Sequence, residues 1–111
     1  MNKAMRDYYR QQVATFSDQL AKSDWIGLHK SLAHAHIVGQ KNTFAHTYSH
    51  FLMLRVGLRK RDFKEIFGQS TRILAALLFS RIWVPKGNTG WSDVSPFKAM
   101  PLPEELKHLF G

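Results

Sequence analysis

A repeat with an offset of 38 residues is the feature that most restricts how this chain folds. The offset pairs Val13 with Phe51, Phe16 with Leu54, Leu20 with Leu58, Asp24 with Asp62, Trp25 with Phe63 and Leu28 with Ile66. Each half is therefore predicted to form a helix, a capped turn and a second helix. Because one such hairpin cannot bury its apolar side alone, the two hairpins are expected to stack and share a core.

Apolar residues three or four positions apart predict four helices, each with one buried stripe. Their predicted bounds are about 2–22, 24–39, 42–60 and 62–84, the last helix ending before Pro85. In the third helix the predicted buried stripe comprises Phe44, Tyr48, Phe51, Leu54 and Leu58. Aspartate or asparagine precedes the last three helices, as expected for N-caps. The predicted fold class is all-α, a tetratricopeptide-like array of four helices over residues 1–84.

The chain after Pro85 changes to turn formers, beginning with the run 87–90, Gly-Asn-Thr-Gly. Apolar residues at short intervals predict an extended strap over residues 85–102 that packs on the helices. They are Trp91, Val94, Phe97, Met100 and Leu102. A short helix is predicted over residues 103–110, with Pro103 at its start and Glu104 and Glu105 near its positive end. All 111 residues are expected to form a single domain.

Composition excludes some classes of protein. The chain has no cysteine, which excludes disulfides, thiolate metal sites and cysteine nucleophiles. No apolar segment follows the basic start, so no secretory signal is predicted. The most apolar run, residues 73–84, contains Arg81 and is too short to span a bilayer. We therefore expect a cytoplasmic protein.

A net charge of +8 is compatible with anionic partners. The densest basic stretch contains Arg55, Arg59, Lys60, Arg61 and Lys64. Two interpretations remain: a surface that binds nucleic acid, or a solvated helix end where cations suit the helix dipole. We favour the second, because aromatic residues are not interleaved with the charges.

Histidines are the residues of this chain that are most suited to bind a metal ion. His46 and His50 have the i, i+4 spacing that points two imidazoles to one side of a helix. His36 lies near the end of the preceding helix, just before the short turn, and is therefore expected beside His46. His29 lies two turns earlier on the same helix as His36. The cluster is predicted either to hold zinc, nickel or copper or to consist of hydrogen-bonded structural histidines. His34 and His108 are expected to be solvated.

Catalytic motifs are missing. A di-iron bundle site needs two Glu-x-x-His sequences and the chain has one, Glu105 to His108. It has no His-Glu-x-x-His sequence and no nucleophile elbow. Ser49 adjoins His50, but neighbours in a helix do not face each other. No catalytic residue is predicted, and an enzyme ranks below a binding protein.

Several short segments in fixed order resemble a known family. They are Ala-His-Ile-Val-Gly-Gln at 35–40, the two histidines of the i, i+4 pair, Leu-Met-Leu-Arg-Val-Gly at 52–57, Gly-Gln at 68–69, Pro-Lys-Gly-Asn-Thr-Gly at 85–90, Val-Ser at 94–95 and Pro-Leu-Pro at 101–103. Over residues 24–106 the chain resembles the bacterial domain-of-unknown-function family numbered 3703. The resemblance implies a single-domain helical protein and brings no established activity, substrate or cofactor.

The resemblance also implies that His36, His46, His50 and the 87–90 turn belong to the family pattern. Polar residues within the same segments are candidates for binding a ligand or partner: Gln40, Arg55, Gln69, Asn88 and Thr89. The leading hypothesis is a binding or scaffold module whose groove, closed by the strap, holds a protein or a small ligand. The alternatives are a metal-binding protein using the histidine cluster and, third, weak nucleic-acid binding.

Overall fold

The computed structural model describes residues 1–80 and 82–111, so Arg81, the charge within the apolar run, lies outside the described residues. The elements are α1 (Lys3–Ala14), α2 (Phe16–Ala21), α3 (Trp25–Gly39), α4 (Thr43–Lys60), α5 (Phe63–Phe79) and a terminal 3-10 helix (Glu104–Phe110). Helix accounts for 68% of the chain, and the described residues contain no strand. The all-α prediction is confirmed. No helix among the described residues is long and apolar enough to cross a membrane.

Side-chain caps explain why the helices begin where the sequence predicts. The side chains of Asn2, Asp24, Asn42 and Asp62 each accept a hydrogen bond from the backbone N–H three residues later. Each bond satisfies a donor that has no partner within the helix.

The first predicted helix, residues 2–22, is divided in two at Thr15. The backbone there has φ −81° and ψ −8°, and the Thr15 hydroxyl donates to the carbonyl of Gln12 at 2.9 Å. A threonine hydroxyl that bonds to the preceding turn competes with the helical pattern. The predicted four-helix array is thus built from five α-helices.

Helix α3 lies at the centre of the array. It contacts α1, α2, α4 and the terminal 3-10 helix, and α4 in turn packs on α5. This order is consistent with two stacked hairpins, α1 and α2 with α3, and α4 with α5. The tetratricopeptide-like arrangement stays a prediction.

The predicted buried stripe of α4 is wrong. Phe44 and Phe51 are 79% and 46% exposed, and Leu58 is also exposed. The buried side of α4 instead carries Ala45, His46, Ser49, His50, Leu52, Met53, Val56 and Gly57. Small residues on this side let α4 approach its neighbours closely, and its polar side chains have partners there. Apolar periodicity alone did not indicate this side.

The strap is held on both hairpins. Buried Trp91 stacks on the His29 ring and donates through Nε1 to the His29 carbonyl at 3.1 Å. On α5, Arg72 donates to the Val94 carbonyl at 3.0 Å. The predicted packing of the strap on the helices is therefore present. Phe97 is the exception, because it is 75% exposed.

Candidate metal centre

Three buried histidines meet where α3 ends and α4 begins. His36 lies in the last turn of α3, and His46 and His50 occupy successive turns of α4. The three are 2%, 8% and 3% exposed, respectively. The short connection between the helices and the i, i+4 spacing bring the imidazoles together, as the sequence predicts.

Their Nε2 atoms form an equilateral triangle. The distances from His36 to His50, from His46 to His36 and from His50 to His46 are each 3.1 Å. The available ligand atoms of all three residues lie within 4.8 Å of one another. One ring nitrogen of each histidine thus faces a common centre.

The backbone of the strap fixes the protonation of His36. Its Nδ1 lies 2.8 Å from the carbonyl oxygen of Asn88, which only accepts, so Nδ1 carries the proton. In the neutral ring Nε2 therefore has a free lone pair. Gly90 makes this contact sterically possible, since a Cβ there would lie 2.6 Å from Cδ2 of His36. Gly90 also has φ +88°, a conformation that favours glycine.

Gln69 fixes His50 in the same way. The Nδ1–H of His50 donates to Oε1 of Gln69 at 2.6 Å. The amide orientation of Gln69 is set because its Nε2 donates to the carbonyl of Gly90 at 2.9 Å and to the carboxylate of Glu65. Nε2 of His50 therefore also presents a lone pair to the centre.

His46 differs from the other two. Its Nδ1 is buried and has no hydrogen-bond partner. If Nε2 of His46 carries the proton, it can donate well to Nε2 of His36 or to Nε2 of His50, but not to both. Whichever tautomer His46 adopts, no proton lies between His36 and His50 when all three rings are neutral.

Burial keeps these rings neutral. Desolvation lowers the pKa of His46 to about 4. Desolvation and the neighbouring His46 lower the pKa of His50 to about 3. The pKa of His36 also lies well below its usual value, through desolvation and then the two other imidazoles. At neutral pH the centre therefore holds three neutral imidazoles, each with one ring nitrogen that carries no proton. This is the form that binds metal ions.

A pocket of about 420 Å³ opens onto the triangle. All three histidines line it, together with the polar residues Gln40, Thr71, Arg72, Ser80 and Asn88. The rest of its lining is Gly90 and the apolar residues Ala75, Ala76, Phe79, Ile82, Trp83, Val84, Pro85, Pro96 and Phe97. This volume falls within the range of small-molecule pockets.

The other predicted ligand-binding residues divide into two groups. Gln40 and Asn88 line the pocket, and Gln69 supports it through His50. Thr89 is half-buried outside the lining, and exposed Arg55 lies over the ring of Phe16, 5.3 Å from its centre.

The remaining histidines do not join the triangle. His29 is exposed and stacks on Trp91. His34, expected in solvent, is 6% exposed because α1 covers it: the Tyr8 hydroxyl lies 2.9 Å from its Nδ1. His108 is exposed, as predicted.

Sequence reasoning missed Arg72. The only available signal was its position three residues after Gln69, which places both on neighbouring turns of α5. Its guanidinium donates through Nη1 to the Ser92 hydroxyl at 3.4 Å and through Nη2 to the Val94 carbonyl. Its Nε–H is buried and has no partner.

Comparison with known proteins gives one match. The family model described as "Protein of unknown function (DUF3703)" matches residues 3–110. No curated protein and no solved structure matches the chain significantly. Because the family model spans nearly all of the sequence, the chain belongs to the DUF3703 family, as its short motifs predicted.

Proposed function

We propose that this protein binds a divalent transition-metal ion, zinc, nickel or copper, through the Nε2 atoms of His36, His46 and His50. Neutral imidazole is a preferred ligand of all three ions. The pocket, which all three histidines line, would give a bound ion access to a further ligand. This proposal places metal binding ahead of a pure scaffold role.

One observation carries the proposal. Nε2 of His36 and Nε2 of His50 lie 3.1 Å apart, and each presents a lone pair. Their Nδ1 protons are committed to the Asn88 carbonyl and to Gln69. Two lone pairs at hydrogen-bond distance repel each other unless a cation lies between them. The low pKa values of the cluster disfavour a proton in that role at pH 7.

The dimensions of the triangle support a metal ion. Zinc bonds to histidine nitrogen at about 2.0–2.1 Å, which places tetrahedral ligand atoms about 3.3 Å apart. The observed separation of 3.1 Å is close to that value.

The surroundings of two ligands also fit. Histidines that bind metals usually donate their other ring N–H to a carbonyl or carboxylate, which fixes ring orientation and tautomer. His36 donates to a carbonyl, and His50 donates to the amide oxygen of Gln69, whose Nε2 in turn donates to the carboxylate of Glu65. Three protein ligands and an open position are typical of sites that exchange a small ligand rather than of closed structural sites.

The experiment is a metal titration of the full chain without an affinity tag, after removal of bound metal with a chelator. Isothermal calorimetry is expected to give one ion per chain for zinc, nickel or copper. Saturation at 100 times the dissociation constant is expected to raise the free energy of unfolding by about 2.7 kcal/mol.

His46→Leu is the informative variant, because the His46 ring makes no hydrogen bond outside the triangle. We expect it to fold and to lose metal binding, while His108→Ala, on an exposed residue, retains it. Wild-type protein that binds none of the three ions would refute the proposal. Equal loss of affinity in both variants would also refute it.

A further inference from the structure

We infer that the metal's open position takes an organic anion with a small apolar body, a monocarboxylate in its simplest form, which Arg72 recognises from the pocket wall. This inference rests on the proposed metal site. It assigns to the pocket a class of ligand and to Arg72 a binding role.

Charge is the first argument. Three neutral imidazoles leave the ion its full positive charge, and Arg72 adds another cation to the same lining. Among the lining residues that the structure describes, none is a carboxylate. The carboxylate of nearby Glu65 already accepts hydrogen bonds from the Gln69 amide and from the backbone N–H and hydroxyl of Ser92. A pocket lined by cations and by no carboxylate favours an anion, because opposite charges attract.

The state of Arg72 is the second argument. Two of its guanidinium nitrogens donate to the strap, at Ser92 and Val94, which holds the planar group in place. The strap uses two of the five guanidinium N–H donors, and Arg72 lines the pocket, so donors remain for an anion bound there. A carboxylate has two oxygens, so one oxygen can bind the metal while the other accepts from Arg72.

The pocket walls define the rest of the ligand. Helix α5 contributes Ala75, Ala76 and Phe79, and the chain that follows contributes Trp83, Pro96 and Phe97. These side chains offer contact area without further charge. The ligand body is therefore aliphatic or aromatic, and inorganic anions leave most of the pocket unfilled.

The test uses the full chain loaded with Co²⁺, whose visible absorption spectrum responds to a change of ligand. Co²⁺ loading is measured first. The loaded protein is then titrated with hexanoate, with acetate and with hexanamide. Hexanoate is expected to change the spectrum and to bind at least tenfold more tightly than acetate, while neutral hexanamide leaves the spectrum unchanged.

Two variants and a matched control separate the contribution of Arg72 from that of the apolar walls. Arg72→Gln is expected to weaken hexanoate binding at least tenfold when both proteins are first saturated with Co²⁺, so that a change in Co²⁺ affinity does not enter the comparison. Arg55→Gln is the matched control, because Arg55 is exposed and lies outside the pocket lining. Ala75→Trp fills the pocket from an exposed position and is expected to reduce hexanoate binding far more than acetate binding.

The outcomes distinguish the two proposals. If no Co²⁺, zinc, nickel or copper binds, the metal site and the anion site both fail. If Co²⁺ binds stoichiometrically and neither hexanoate nor acetate changes its absorption spectrum, only the anion site is refuted. The same holds if acetate matches hexanoate, or if Arg72→Gln binds hexanoate as tightly as Arg55→Gln does.

Discussion

The Nδ1–H of His50 donates to Oε1 of Gln69 across 2.6 Å, and the same glutamine reaches the strap by donating to the Gly90 carbonyl. One fully buried side chain therefore links α4, α5 and the strap. Because Gly90 also contacts the ring of His36, the supports of two histidines meet at this point. The orientation of the triangle thus depends on the strap as well as on the helices.

Replacing Gln69 by leucine tests this link. The variant leaves the Nδ1–H of His50 and the Gly90 carbonyl buried without partners, which is expected to lower the free energy of unfolding by about 1–3 kcal/mol. Metal affinity is expected to fall about 10- to 100-fold. Denaturant unfolding and metal titration measure the two effects. Gln11→Leu, at an exposed position, serves as the control, and equal behaviour of the two variants would contradict the role of Gln69.

Gly90→Ala tests the approach of the strap to His36. The new Cβ meets the imidazole at 2.6 Å, and alanine is strained at φ +88°. We expect a loss of more than about 1 kcal/mol in unfolding free energy, together with weaker metal binding because the ring of His36 is displaced. Gly111→Ala shares a positive φ, +112°, but its Cβ meets no atom within 4 Å, so this variant is expected to keep the metal affinity of the wild type. Wild-type metal affinity in Gly90→Ala would show that the ring tolerates the clash.

The stability of the metal-free protein is expected to depend on pH. The pKa of His46 is lowered to about 4 and that of His50 to about 3 in the folded protein, whereas histidine in an unfolded chain titrates near about 6.5. Between these values the unfolded chain binds more protons than the folded one. The stabilising effect of neutral rings is therefore complete above about pH 6.5 and is lost as pH falls toward about 4. Each histidine contributes a slope of up to about 1.4 kcal/mol per pH unit.

Denaturant unfolding from pH 8 to pH 4.5 measures that slope. His46→Leu removes one of the titrating rings. The dependence of its unfolding free energy on pH is therefore expected to be less steep, by up to about 1.4 kcal/mol per pH unit. A pH-independent free energy of unfolding in the wild-type protein would mean that the rings protonate without cost.

Two aromatic residues of the strap are expected to differ sharply in how much they contribute to the free energy of unfolding. Trp91→Ala removes a side chain that is only 4% exposed, its stacking on His29 and its hydrogen bond to the His29 carbonyl. We expect a loss of about 3–5 kcal/mol. Phe97→Ala, at 75% exposure, is expected to change stability by no more than about 0.5 kcal/mol. Similar losses in both variants, measured by denaturant unfolding, would contradict the described packing of the strap.

The sequence by itself determined the features that depend on neighbouring residues. Capping side chains act within three residues of their helix start, so the beginnings of α3, α4 and α5 followed from Asp24, Asn42 and Asp62. The i, i+4 spacing of two histidines and the short turn after a third likewise predicted the cluster, because helix geometry fixes these relations.

Only the tertiary structure decided which side of each helix is buried and what supports the histidines. Phe44 and Phe51 are exposed and His34 is buried, since burial depends on which elements surround a helix rather than on its own periodicity. Asn88 and Gln69 meet the histidines from 52 and 19 residues away in the chain. No local pattern encodes such distances. The lone pairs at the centre are oriented by backbone and amide oxygens, and packing of the strap against α3 and α5 brings those oxygens into place.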